Sequence, residues 1–285
     1  MHLFRLLLNV FFYSHLQIAL AAALLGYLTV ERLKIDGQSP FPGELYVFLF
    51  TATLGVYTLH RLLSFRRAGG RPRARRYAVV RWDYAISAKI GACATAFGVI
   101  FGGRQLARLW PALVVAVPIT YLYLTPLRPG WRRLRDVPYL KVVWVGIAWT
   151  LVTHVIPVLW VDQAFAWSVF LGEGLVRFAF TTCVALLFDL RDVELDRGQG
   201  VKTVANDLPE WHRHLTALLP LFCVGVTLVA PGRSFGVTLP LALSYLVLYP
   251  IIQRSYRTTE EDWYAVGVNG VLMVPPVVVL ILGGS

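Results

Sequence analysis

Charge is scarce along this chain, and the scarcity decides its class. Charged residues make up 15% of the 285 positions and hydrophobic residues 57%, whereas a soluble domain carries about a quarter charged residues. A water-soluble globule is thereby excluded. Cysteine is equally thin: Cys93, Cys183 and Cys223 stand alone in apolar runs, with spacing that suits neither a disulfide framework nor a zinc site. Their expected role is helix packing. Acids are outnumbered by bases, 16 to 27, and none occurs between Glu44 and Asp83. The first apolar run follows only His2 and Arg5 and ends without a small-residue cleavage site, so it reads as a retained helix and not a secretory signal. No internal repeat emerges, and Pro118, Pro157, Pro220 and Pro250 do not fall in matching halves, which leaves a repeat-built transporter without support.

What the chain has in abundance is apolar length. Nine runs are long enough to cross ~30 Å of hydrocarbon, roughly 11–30, 45–63, 84–101, 110–124, 139–160, 165–188, 215–230, 236–252 and 263–282. They are continuous, unlike the alternating ~10-residue strands of a membrane barrel. The expected fold class is all-α, a polytopic membrane protein forming a single transmembrane domain over 1–285.

Orientation follows from the basic residues. The N-terminal Arg5 and the connections after the second, fourth, sixth and eighth runs hold 19 of the 27, among them Arg66, Arg71, Arg73, Arg75 and Arg76. The opposite side has 5: Arg32, Lys34, Arg104, Arg108 and Arg233. This alternation predicts a cytoplasmic N-terminus, an external C-terminus and cytoplasmic loops at about 64–83, 125–138, 189–214 and 253–262. Basic loops facing an anionic leaflet, worth about 1 kcal/mol per residue, account for the net charge of +11. No nucleic-acid partner is needed.

The chemistry concentrates where the sixth run ends. If helical geometry continues past Phe188, then Asp189, Asp192 and Asp196 fall within an arc of roughly 60° at about 100° per residue, with Arg191 and Glu194 on the far side. Carboxylates on one stripe raise one another's pKa unless a cation sits among them, and Mg²⁺ shared with a substrate phosphate is a common answer. The competing reading is an acidic juxtamembrane loop solvated by water. In the second run Thr53, Tyr57, His60 and Ser64 share a helical face, with Arg61 about 100° round from His60. His60 and Arg61 either line a cavity or are, respectively, a packed histidine and a snorkelling arginine. Gly174, Phe178, Thr181 and Ala185 lead down the stripe to Asp189. Lys89 either snorkels past Asp83 or pairs with a neighbouring acid, and His154 and Asn269 read as packing or interhelical hydrogen bonds.

The stretch from Asp189 to Thr203 resembles the second aspartate-rich motif of the UbiA-type intramembrane prenyltransferases, D-x-x-D-x-x-x-D-R-x-x-G-x-K-[ST]. Its positions are Asp189, Asp192, Asp196, Arg197, Gly200, Lys202 and Thr203. Tyr123-Leu124-Thr125-Pro126-Leu127-Arg128 is similar to the family's Y-x-x-P-x-[KR]. The resemblance implies a nine-transmembrane-helix bundle around a central cavity. It implies an isoprenyl diphosphate, or another anionic prenyl lipid, held through Mg²⁺ between two aspartate motifs in a bacterial or archaeal cytoplasmic membrane. The prenyl group then alkylates an acceptor while metal and cations absorb the charge of the leaving diphosphate, and aromatic walls shield the carbocation. On this resemblance Asp189, Asp192 and Asp196 are the catalytic, metal-binding residues. Tyr123, Arg128, Lys141, Arg197 and Lys202 bind substrate, together with His60, Arg61 and Arg66 beside the place of the first motif.

That first motif, N-D-x-x-D-x-x-x-D, falls on Thr58 to Arg66, where its acidic positions are Leu59, Leu62 and Arg66. Half of the expected metal site is missing. In one reading His60, Arg61 and Arg66 supply fixed positive charge in place of one metal, leaving a single Mg²⁺ on the aspartate trio of a divergent transferase. In the other, the fold persists without transferase chemistry and binds a prenyl lipid or acts as a membrane scaffold.

Overall fold

The computed structural model describes residues 10–33, 42–67, 69, 74–161, 165–229 and 235–282. His2, Arg5, Lys34, Arg71, Arg73 and Arg233 lie outside the described residues. The described residues form nine helices long and apolar enough to cross a membrane. They are α1 (Leu16–Leu33), α2 (Gly43–Arg67), α3 (Tyr84–Arg104), α4 (Leu106–Leu124), α5 (Lys141–Val161), α6 (Trp167–Gly198), α7 (Pro209–Val229), α8 (Phe235–Ser255) and α9 (Glu261–Leu282). All nine expected spans are present, and the protein is an integral membrane protein. The sixth span runs ten residues beyond its expected end at Phe188.

The outward faces carry what lipid requires. Ile100, Val117 and Leu221 are each more than half exposed, which in water would be an extended apolar patch. Exposed tryptophans ring both ends of the bundle: Trp82, Trp131 and Trp211 near the basic connections, Trp110 and Trp167 at the other end. Such girdles sit at the headgroup level. Lys89 is on an exposed face of α3, and Asp83 caps that helix by accepting from the Ile86 N–H at 2.8 Å.

Helix α6 is the axis of the bundle. Phe180, Cys183, Val184 and Leu187 pack with residues of α1, α7, α8 and α9 into the largest core cluster. At 32 residues and 1.5 Å per residue it is about 48 Å long, well over the ~30 Å hydrocarbon core. Its last turns therefore stand clear of the membrane and can carry charge. The helix ends in a Schellman arrangement. Gly200 takes φ +68°, the Gly200 N–H donates to Arg197 O at 3.0 Å and the Val201 N–H to Asp196 O at 2.9 Å. Thr203 then caps a short helix, Val204–Asp207, exchanging hydrogen bonds with Asn206. Two positions of the family-like motif, Gly200 and Thr203, are thus explained by backbone geometry.

Two wide π-helical turns interrupt the bundle, Leu151–Val155 in α5 and Tyr264–Val268 in α9. A π-turn breaks the regular ladder of backbone bonds, and side chains meet the carbonyls left over. Thr29 Oγ1 donates to Thr153 O at 2.7 Å, Arg177 Nη1 to the same oxygen at 3.1 Å, and Gln17 Nε2 to Val266 O at 3.3 Å. His154 bonds Phe170 O at 2.9 Å, the packing role expected for it. Arg32 and Glu173 add a buried ion pair at 2.7 Å to the polar layer around Arg177 and Thr153.

Close approach of α2 and α3 depends on small residues. A Cβ at Gly55 would come within 2.5 Å of Thr95 Oγ1 and 3.1 Å of its backbone nitrogen, whereas one at Gly225 would meet nothing within 4 Å. Gly55→Leu is therefore expected to destabilise the protein by about 1–3 kcal/mol through overpacking. Gly225→Ala should be neutral, or stabilise by up to about 1 kcal/mol through helix propensity. Thermal unfolding in detergent distinguishes the two.

Candidate functional site

The site grows from the overlong end of α6. Because α6 stays helical to Gly198, Asp189, Asp192 and Asp196 do lie on one stripe, and all three are buried. Asp189 and Asp192 line a chamber of about 240 Å³ at the basic end of the bundle; Asp196 sits behind it. The same chamber is lined by His60, Arg61 and Ser64 of α2, Tyr123 of α4 and Lys141 of α5. Of the expected juxtaposition, the aspartate trio facing the His60/Arg61 pair, two aspartates share the chamber with that pair and the third does not line it.

The cation among the carboxylates is a side chain of the chain itself. Lys141 Nζ lies 2.8 Å from Asp189 Oδ1 and 2.7 Å from Asp196 Oδ2. Arg135 Nη2 is 3.7 Å from the remaining Asp196 oxygen. Arg191 grips Asp192 with two bonds of 2.9 and 3.0 Å, and Arg76 reaches the same carboxylate at 3.1 Å. Arg191 was expected on the far side of the helix. Instead its guanidinium lies against the Phe188 and Tyr264 rings, 4.9 and 5.5 Å from their centroids, and turns inward. Desolvation explains the network, since a buried carboxylate without a countercharge costs several kcal/mol.

The turn preceding α5 is held firmly. Tyr139 adopts a left-handed φ of +62°, uncommon for a non-glycine residue. Its N–H donates to Lys202 O at 3.0 Å and its hydroxyl to Asp207. Nearby, burial alone would raise the Asp136 carboxyl, but two bonds from the Arg133 guanidinium, 2.7 and 2.8 Å, and its charge hold it below the usual carboxylate range.

Four expected substrate contacts lie elsewhere. Arg66 is exposed and lies over the Tyr84 ring; Arg128 is exposed and lies over Trp131. Arg197 pairs with Glu194 at the surface, and the exposed Lys202 faces Asp207 at 3.7 Å. Arg197 and Lys202 follow the last inward-facing position, Asp196, so the winding of the helix and its cap turn them outward. Conversely, Arg76, Tyr77, Arg135, Arg191, Glu261 and Asn269 line the chamber without having been expected there. For Asn269 the sequence predicts packing or an interhelical hydrogen bond. Glu261 starts α9, accepts from the Arg76 backbone N–H at 2.8 Å and forms an ion pair with the Arg76 guanidinium, its Nε at 3.0 Å. In the sequence it is the middle of three consecutive acids, Glu260, Glu261 and Asp262, and nothing there singles it out. Nothing in the sequence separates Arg76 from its arginine neighbours.

A second cavity, also about 240 Å³, opens between α2, α4 and α5. It is lined by Thr53, Val56, Ile119, Trp144, Ala148, Trp149 and Val152, among others. It shares Tyr57, His60, Tyr123 and Val145 with the charged chamber. Trp149 Nε1 donates to the Tyr57 hydroxyl at 3.2 Å, fixing that ring at the junction.

The class is therefore a helical membrane protein in which a charged chamber adjoins an aromatic, apolar one. Its fold is that of the UbiA homologues. The UbiA homologue of Archaeoglobus fulgidus bound to GPP and Mg²⁺ superposes with a TM-score of 0.65 at 14% identity, covering 96% of this chain and 100% of that one. The apo UbiA homologue of Aeropyrum pernix K1 gives 0.62 at 13%, covering 95% and 98%. A digeranylgeranylglyceryl phosphate synthase gives 0.57 at 13%, covering 97% and 96%. No family model matches the sequence, and no curated protein does.

The aspartate trio, as arranged here, does not fit a Mg²⁺ ion. Oδ1 of Asp189 and of Asp196 are buried and accept no hydrogen bond, as metal ligands would be, yet Lys141 and Arg135 already compensate their charge. Among the described residues no group of three His, Cys, Asp or Glu side chains converges for a metal. The expectation of a metal-binding trio thus meets a set of ion pairs instead.

Lys141→Met strands two buried carboxylates and is expected to cost about 3–5 kcal/mol. Arg66→Ala and Lys202→Ala should stay within about 0.5 kcal/mol, as surface changes do. Denaturation of the purified variants measures both, and equal effects for Lys141 and Lys202 would contradict the network.

Proposed function

We propose that this chain is a divergent prenyltransferase of the UbiA type. It takes an isoprenyl diphosphate into the paired cavities, breaks the bond between the allylic carbon and the diphosphate, and passes the prenyl group to an acceptor in the membrane. The observation that carries this reading is the shared wall. A ligand whose head is a diphosphate and whose tail is an isoprenoid needs a cationic chamber adjoining an apolar one. Here the two meet at Tyr57, His60, Tyr123 and Val145.

Each part then has a role. Arg61, Arg76, Arg135, Lys141 and Arg191 face the head group and receive the charge that develops on the departing diphosphate. Tyr57 and Tyr123 stand where head and tail join, and Trp144 and Trp149 offer ring faces to a cationic allyl fragment. The basic end faces the cytoplasm, as the distribution of Lys and Arg favours. The neighbours' Mg²⁺ has no ready place on the trio, so no step is assigned to it. A second reading, a lipid-binding protein without turnover, is favoured by the missing acids at Leu59 and Leu62.

The test is binding and turnover of geranyl diphosphate by the purified full chain in buffer containing Mg²⁺. Geranyl diphosphate is expected to bind at least about tenfold more tightly than geraniol or inorganic diphosphate alone. Ala148→Trp, which fills the apolar cavity, should abolish that advantage while leaving affinity for inorganic diphosphate unchanged. Release of diphosphate in the presence of membrane lipid extract supports the transferase. Tight binding without release supports the lipid-binding alternative, and no preference for the joined ligand overturns both.

A further inference from the structure

The geometry points to recognition of the diphosphate by fixed side-chain cations with no divalent metal bridging it to the protein. This inference rests on the reading of the chamber as a diphosphate site. It departs from the neighbour whose complex holds GPP together with Mg²⁺.

Three observations carry it. The first is charge balance: five cations, Arg61, Arg76, Arg135, Lys141 and Arg191, face the chamber against three lining carboxylates, Asp189, Asp192 and Glu261, and a fourth, Asp196, behind them. The excess favours an anion before any metal arrives. The second is occupancy of the carboxylates. Mg²⁺ takes oxygen ligands at about 2.0–2.1 Å and in near-octahedral array. Lys141 Nζ instead stands 2.8 and 2.7 Å from Asp189 and Asp196. Asp192 is held by Arg191 at 2.9 Å and by Arg76 at 3.1 Å. A dication placed there would sit against three fixed positive groups. The third is Arg61. It makes a long contact of 3.5 Å to His15 and lies 5.2 Å over the Tyr77 ring, but has no carboxylate partner among the described residues.

These observations reassign the acids. Asp189, Asp192, Asp196 and Glu261 act as counter-ions that hold arginine and lysine heads in place. Arg76 is the clearest case. It comes from the connection after α2, the helix whose end lacks the expected acids, and bridges Asp192 of α6 to Glu261 of α9. A diphosphate entering the chamber competes with Asp192 and Glu261 for that guanidinium, and its oxygens match the planar fork.

The two roles for Asp192 predict effects of opposite sign. A metal ligand, once neutralised, weakens diphosphate binding. A counter-ion, once neutralised, frees Arg76 and Arg191 and leaves binding equal or tighter. The experiment measures geranyl diphosphate affinity of the full chain in nanodiscs, with EDTA and separately with Mg²⁺, for the parent and for Asp192→Asn, Glu261→Gln, Arg76→Gln and Arg61→Gln. Thermal unfolding of each variant establishes that it is folded, and Glu261→Gln stands in if Asp192→Asn is not. Expected are parent affinities within about threefold of each other in EDTA and Mg²⁺, and equal or tighter binding by Asp192→Asn and Glu261→Gln. Losses of about tenfold or more are expected for Arg76→Gln and Arg61→Gln. Binding that requires Mg²⁺, or that collapses in a folded Asp192→Asn, overturns this inference and leaves the proposed function standing. Absence of binding in both buffers overturns the two together.

Discussion

Lys141 is the residue on which the basic end of the molecule depends. Its ammonium is buried between two carboxylates of α6 that are themselves almost without solvent, so each member makes the others tolerable. The interaction spans two helices, and its effect is on register: α5 must start where Lys141 can reach both Asp189 and Asp196. Buried ion pairs are poor sources of net stability, because desolvation offsets most of the Coulomb gain. What they do well is penalise every arrangement in which one partner is left alone. The turn before Lys141, with its left-handed Tyr139 tied to Lys202 and Asp207, fixes the same register from outside. Connections that lie far apart in sequence are thereby locked around a single charge cluster.

The opposite end of the bundle is organised by a different constraint, the backbone carbonyls released by the π-turn of α5. Arg177 and Thr29 meet Thr153 O there, joining α6 and α1 to α5. In lipid an unmet carbonyl costs several kcal/mol, so these polar side chains behave as pins and not as a ligand site. The two ends of α6 therefore differ in kind. At one, Arg177 and Thr29 satisfy the protein's own backbone and Arg32 pairs with Glu173. At the other, cations exceed carboxylates and face open volume. The contrast is why the chamber, and not the equally polar layer around Arg177, is the place for an anionic ligand.

Spans, charge alternation and the aspartate stripe were legible in the sequence because each is a local pattern. Lipid demands long apolar runs, and a stripe follows from spacings of three and four once helix is assumed. The face of α2 carrying Thr53, Tyr57, His60 and Ser64 was legible for the same reason, and all four line the paired cavities. The partners of the aspartates were not. Whether Arg191 turns toward Asp192 depends on the Phe188 and Tyr264 rings beneath it, and Tyr264 is more than seventy positions away. Arg76 sits among basic neighbours indistinguishable by type, and only the placement of Glu261 selects it. Arg197 and Lys202 belong to the pattern, yet the winding of α6 turns Arg197 outward and the cap at Gly200 sends Lys202 to the surface.

A chamber built from fixed cations imposes a condition that a metal site does not. Guanidinium and ammonium groups that stabilise a departing diphosphate also repel the allylic cation it leaves behind, so on the transferase reading charge must be graded along the ligand. The two cavities supply such a gradient. Cations line the chamber and none lines the apolar cavity, whose walls carry Tyr57, Tyr123, Trp144 and Trp149. Ring faces attract positive charge over distances of about 6 Å and do so without accepting a bond. The wall shared by the two cavities is then the plane at which the electrostatic preference changes sign, and on the proposed transferase reading the scissile bond would lie across it. Tyr57, held there by the Trp149 indole at 3.2 Å, is part of the boundary that separates one ion of the products from the other.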